Sequence, residues 1–274
     1  MASFALTGLT MAVIEIAVDS TESALAAEQG GAQRIELCSA LREGGLTSSL
    51  GLVRTVRAAC SIGLFTIIRP RGSDFLYTTD EFRAMQEDIR IMGQEGVDGV
   101  VFGLLTQDGH IDIERTRALV ELAHPMQVTF HRALDMAADP ERALEDVIAC
   151  GVQRVLTSGG AASAWAGRKR LQAMVQQAAG RTTIVVGGGV RPAIISRLIE
   201  STGATEFHSS MRHTMPSPMR YKVPNLNLGE PGVDEFSRNL VLADEVRELL
   251  AATQSQHRHG EPVTGAPAST AQNR

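Results

Sequence analysis

Four short segments of this chain are near copies of one another: Gly31-Ala-Gln-Arg-Ile-Glu36, Gly96-Val-Asp-Gly-Val-Val101, Gly151-Val-Gln-Arg-Val-Leu156 and Gly203-Ala-Thr-Glu-Phe-His208. Each reads as a helix-ending glycine, one small apolar residue, two further residues and the start of an apolar run. Runs with strand character cover 13–18, 34–38, 64–69, 99–103, 127–131, 154–158, 183–187 and 205–209. Helical patterns fill the gaps at 22–29, 50–59, 80–93, 113–123, 140–149, 165–178 and 192–201. Alternating strands and helices predict a parallel sheet with helices outside it. The repeat precedes the second, fourth, sixth and eighth strands, so one βαβα unit is used four times. An open doubly wound sheet has no reason for that echo. A single (βα)8 TIM barrel does, and 274 residues accommodate the ~250 such a barrel needs.

The barrel with a C-terminal helix is expected to span 11–252. An irregular stretch, 211–231, precedes that helix at 233–251. From 253 onward the chain is rich in Gln, Ser, His, Pro and Ala without an apolar period, which predicts a disordered tail. His257 and His259 in it read as solvated rather than as metal ligands. The first strand begins directly after Met11, an alternative start to Met1. The opening residues lack a basic region, so no signal peptide is expected. No apolar run is long enough to span a bilayer. A net charge of −5 offers nucleic acid no basic footprint. Three widely spaced cysteines argue against a disulfide framework and for a reducing cytoplasm.

Within a strand, successive side chains point to opposite faces. In 127–131, Thr129 and His131 share one face, Val128 and Phe130 the other. The helix after it begins at Asp139-Pro140, a cap followed by a first-turn proline. The same alternation places Glu15, Glu36 with Cys38, Arg69, and Glu206 with His208 and Ser210 on inward faces. An ionised side chain inside a barrel is costly unless paired. One outcome is an internal network in which Arg69 neutralises Glu15 and Glu36. The other is a polar pocket at the barrel mouth, where strand ends converge in barrel enzymes. In that pocket Arg69, with Arg71, would clamp an anion. His131 would act as general acid/base, since an ordinary imidazole titrates near working pH. Glu15, Glu36, Glu206 and His208 complete the candidate catalytic set. Arg71 and Arg132 read equally well as surface charges that steer ligands.

Two glycine-rich turns suggest an anion cradle. Ser158, Gly159 and Gly160 follow the sixth strand, and Gly188 and Gly189 the seventh. Bare amides beside helix N-termini bind phosphate. A soft metal is the competing chemistry. Cys38 ends the second strand at the mouth, and Met211, His213, Met215 and Met219 follow the eighth. Cys60 and Cys150 fall at the opposite rim. No His-x-x-x-His or Cys-x-x-Cys spacing suggests zinc.

These stretches resemble the CutC family, named for copper homeostasis. The match lies in Glu15-Ile16, Gly30-Gly-Ala-Gln-Arg-Ile-Glu-Leu-Cys38-Ser-Ala, Glu43-Gly-Gly-Leu-Thr47, Ile68-Arg-Pro-Arg-Gly72, Asp74-Phe75, Thr129-Phe-His-Arg-Ala-Leu-Asp-Met136, Leu156-Thr-Ser-Gly159 and Ser217-Pro-Met-Arg-Tyr221. The resemblance implies a cytoplasmic (βα)8 barrel, a homodimer or larger, and intracellular handling of Cu(I). It places the family's pocket on Glu15, Glu36, Arg69, His131 and His208, and it makes Cys38 the candidate Cu(I) ligand. Some members carry further cysteines where this chain has Ala17, Val18, Leu76 and Ala137, and a glycine where it has Ser73. The expected function is therefore copper binding and homeostasis. The alternative is an enzyme acting on a small anionic or phosphorylated metabolite through Arg69 and His131.

Overall fold

The repeat glycines do what their spacing predicts. Gly31, Gly96, Gly151 and Gly203 all adopt positive φ, between 69° and 93°, and turn the chain out of a helix. The structure, a computed structural model, describes residues 12–223 and 234–254. Eight parallel strands close into a barrel: β1 (Val13–Val18), β2 (Arg34–Leu37), β3 (Gly63–Ile67), β4 (Gly99–Phe102), β5 (Gln127–Phe130), β6 (Arg154–Thr157), β7 (Thr183–Val186) and β8 (Glu206–Ser209). Seven helices link them: α1 (Thr21–Gln29), α2 (Leu50–Ala59), α3 (Thr79–Gln94), α4 (Ile113–Ala123), α5 (Pro140–Ala149), α6 (Ala164–Ala178) and α7 (Pro192–Thr202). Local signals set the helix starts. Asp139 caps α5 with Pro140 in its first turn, and Thr78 with Glu81 forms a capping box on α3.

The chain beyond β8 departs from the expected loop and single helix. Arg212–Pro216 forms strand β9, which pairs antiparallel with β10 (Ser237–Val241), and helix α8 (Ala243–Gln254) follows. Leu240 and Val241 are buried, and the Val241 amide bonds the Ser23 hydroxyl of α1. A short apolar pair anchored on α1 thus becomes strand, where periodicity suggested the first turns of a helix. Met11 and the tail from 255 on, with His257 and His259, lie outside the described residues.

The outward strand residues, such as Ile14, Ile35, Leu64, Val128, Phe130 and Phe207, pack with the helices in the main core. The inward residues stack in layers supplied by alternate strands. The lowest consists of Arg34, Gly99, Arg154 and Glu206, the fourth residue of each repeat copy. Above it, Glu15, Phe65, Thr129 and Val185 come from the odd strands, each in register with one residue of the layer below and one above. Glu36, Val101, Leu156 and His208 form the third. Gly99 is required here, because a Cβ on it would fall 2.5 Å from the Phe65 ring.

Candidate functional site

The lower layers form a charged plug. Arg34 bonds Glu15 through Nε and Glu206 through Nη2 at 2.7 Å, and Arg154 Nε reaches the same Glu206 oxygen at 3.0 Å. Both guanidinium groups lie against the Phe65 ring, 5.0 and 5.4 Å from its centre. Burial alone would raise the Glu15 carboxyl, but Arg34 and His208 outweigh it and hold it at about 2. The internal network therefore exists, but its cations are Arg34 and Arg154, not Arg69. Glu206 stands at the start of β8, in the lowest layer, and Glu15 in the second. Neither lines the mouth cavity, and of the two only Glu15 touches another member of the expected catalytic set, His208.

Glu15 links the plug to the mouth. Its other oxygen meets His208 Nδ1 at 2.7 Å, and His208 Nε2 lies 3.8 Å from Glu36. Burial opposes a charged imidazole, but the bond to Glu15 and the charges of both carboxylates prevail, so the His208 pKa is raised. Glu36 is pushed up, chiefly by burial.

Glu36, Arg69, His131 and His208 share one cavity of about 260 Å3 at the C-terminal end of the strands. Gly188, Gly189, Arg132, Arg212 and Phe75 also line it. Arg69 directs its Nη atoms to the carbonyls of Glu43, Gly45 and Ser73, at 2.7–3.1 Å, so it pins two mouth loops. Ser73 holds φ 69°, in the left-handed region that favours glycine. His131 Nδ1 accepts from the Ala133 amide at 3.2 Å, which leaves the ring proton on Nε2. Burial, then the Arg69 charge, push the His131 pKa down to about 3. The imidazole is thus neutral at working pH. With Nδ1 engaged, its Nε2–H is the hydrogen-bond donor it presents. Gly103 makes room for it, since a Cβ there would lie 2.6 Å from Nδ1.

The expected anion groups divide. Gly188 and Gly189 face the cavity. The turn at Ser158, Gly159 and Gly160 is already filled by the Asp135 carboxylate. That group accepts from Ser158 N at 3.1 Å, Ser158 Oγ at 3.0 Å, Gly160 N at 2.8 Å and Thr157 Oγ1 at 2.5 Å, and it pairs with Arg132 at 2.7 Å. The Gly159 amide bonds Thr157 Oγ1. These amides are not open to a phosphate. Arg71 pairs with Glu81 and Asp74 outside the cavity.

Cys38 lies sealed beneath the mouth, packed with Phe65, Ile67 and Val101. Its Sγ faces the Glu36 carboxylate at 3.5 Å, and burial, then the Glu36 charge, push its pKa well above the ordinary value. A protonated thiol beside hard oxygens does not fit a Cu(I) site, which calls for thiolate or thioether donors. Met211, Met215 and Met219 do not line the cavity, and His213 pairs with Glu245. Among the described residues no group of three or more His, Cys, Asp or Glu is arranged to hold a metal ion.

Sequence reasoning missed Arg34, Arg154, Asp135 and Phe75. The first two were legible in principle, as the matching arginines of two repeat copies. Asp135 and Phe75 carried no periodic signal, because Asp135 sits in a short 3-10 turn (Arg132–Met136) after β5 and Phe75 in the loop after β3.

Comparison with known proteins agrees with this architecture. The CutC family model matches residues 12–213. A family protein CutC of Chromobacterium violaceum is 50% identical over 88% of this chain and 97% of its own length. The human copper homeostasis protein cutC homolog is 44% identical over 89% of each. The solved structure of a copper homeostasis protein CutC from Streptococcus agalactiae superposes with a TM-score of 0.69 at 29% identity, over 72% of this chain and 98% of that one. No helix among the described residues is long and apolar enough to cross a membrane. With the family model covering most of the barrel and relatives matched along nearly their whole length, this chain belongs to the CutC family.

Proposed function

We propose that this chain serves copper homeostasis, the role in its relatives' names, and that it acts through a small-molecule site at the barrel mouth. A resident Cu(I) ion on Cys38 is not part of this reading. The observation that carries it is the division of the donors: Arg69, His131, His208 and Glu36 line one cavity, while Cys38 is walled off from it. The net character of the lining, with Arg69, Arg132 and Arg212 against Glu36, favours an anionic ligand. A reducing cytoplasm suits three free, buried thiols. Exposed Met136, Met219 and Tyr221 supply apolar surface for a homodimer or larger assembly. An anaerobic Cu(I) competition titration tests the reading. Weak binding is expected, unchanged in Cys38→Ala. Tight stoichiometric binding that disappears in the variant would return the function to the thiol.

A further inference from the structure

Two polar atoms on the cavity wall are unusual. Arg69 Nε and His131 Nε2 are buried and have no hydrogen-bond partner. Each belongs to a residue whose other polar atoms are occupied, by loop carbonyls for Arg69 and by the Ala133 amide for His131. Both residues are more than nine-tenths buried. An orphaned buried donor is costly, and a native fold rarely keeps two in one place without use. Both atoms carry hydrogen, so the missing partner must be an acceptor. The Phe75 ring covers them, 4.8 Å from the His131 ring and 5.1 Å from the Arg69 guanidinium. Phe75 is half-buried and lies in the connection between β3 and α3, so it can yield without disturbing a strand. The Tyr77 hydroxyl is also buried without a well-formed bond and lies close enough to the Arg69 guanidinium to hydrogen-bond with it, but it is not on the cavity wall, so a ligand would compete with it for Arg69.

We propose that the Nε–H of Arg69 and the Nε2–H of His131 together bind one oxygen of a small organic carboxylate, and that Phe75 swings aside to admit it. The inference rests on the reading of the mouth as the functional centre. A carboxylate suits this wall better than a phosphate. Around these two donors the wall is apolar, with Ile67, Leu156 and Phe75, and of the other arginines on the cavity Arg132 is already paired with Asp135. Of the two glycine-rich turns, the one at Ser158 and Gly160 already has its amides held by Asp135.

The test follows the histidine side-chain nitrogens of the full chain by 15N NMR, with His131 assigned by its loss in His131→Phe. Sodium pyruvate is the probe, and sodium phosphate at matched ionic strength is the comparator. Pyruvate is expected to move the His131 Nε2 signal saturably, with phosphate doing little. Arg69→Lys keeps the charge without the Nε–H and should bind pyruvate at least tenfold more weakly. Tyr77→Phe removes the competing hydroxyl and should not weaken binding. Because Arg69→Lys can also loosen the loops it pins, a second readout is the rise in melting temperature caused by pyruvate, expected to vanish in His131→Phe. No saturable shift with pyruvate, or a melting response that survives in His131→Phe, overturns the proposal. A stronger response to phosphate overturns the carboxylate assignment but leaves the mouth as the functional centre, which copper tolerance reads separately.

Discussion

Replacing Arg34 by methionine is expected to lower folding stability by about 3–5 kcal/mol, the usual cost of removing one partner from a buried ion pair. Methionine keeps much of the stem that packs on Phe65, so the loss is mainly of charge. Glu15, 1% exposed, then retains only His208, while Glu206 keeps Arg154. Urea denaturation at neutral pH reads the effect, and adding Glu15→Gln should recover part of it. Acid titration adds a second signature. Glu15 is held at about 2 in the fold against an ordinary 4.5, so its contribution is complete above pH 4.5 and is lost as pH falls toward 2. His131 is held near 3 against an ordinary 6.5. The unfolded chain takes up a proton that the folded one refuses, so stability also falls from pH 6.5 down to about 3. Both slopes have the same sign, each at most about 1.4 kcal/mol per pH unit. In Arg34→Met the Glu15 slope should shrink and the His131 slope remain. A variant as stable as the parent would mean that the plug does not depend on this cation.

Asp135→Ala should cost about 2–4 kcal/mol, because it leaves buried amide and hydroxyl donors of the turn after β6 unbonded. Asp135→Asn keeps one accepting oxygen and should cost less. The variant should also acquire what the parent lacks. With the Ser158 and Gly160 amides freed, added phosphate should raise the melting temperature of Asp135→Ala at matched ionic strength, by mass action on the folded state. The parent should respond little. An equal response in both would mean that the carboxylate does not occupy an anion cradle.

These two predictions also mark where the sequence could be read. The fourfold glycine repeat carried the barrel, and alternation carried the faces: Val128 and Phe130 out, Thr129 and His131 in. Alternation could not rank heights within the barrel. Glu206 and His208 share a face, yet one lies in the plug and the other at the mouth. Nor could it pair charges across strands. Arg34 and Arg154 were hidden at the start of their strands, and Arg69 was credited with their work. Protonation was beyond reach for a similar reason. An imidazole reads as titrating near neutrality until its burial and the Arg69 charge beside it are seen. The β9–β10 pair was missed because Leu240 and Val241 fit a helical period as well as a strand, and only the contact with α1 decides.

On the function proposed above, the barrel mouth and not Cys38 carries the activity. The measurement that tests it most directly is copper tolerance in a strain lacking its own CutC-family protein, complemented with the parent chain, Cys38→Ser or His131→Phe at matched protein levels. The parent and Cys38→Ser should restore growth at raised copper, and His131→Phe should not. Restoration by His131→Phe with failure of Cys38→Ser would contradict the account.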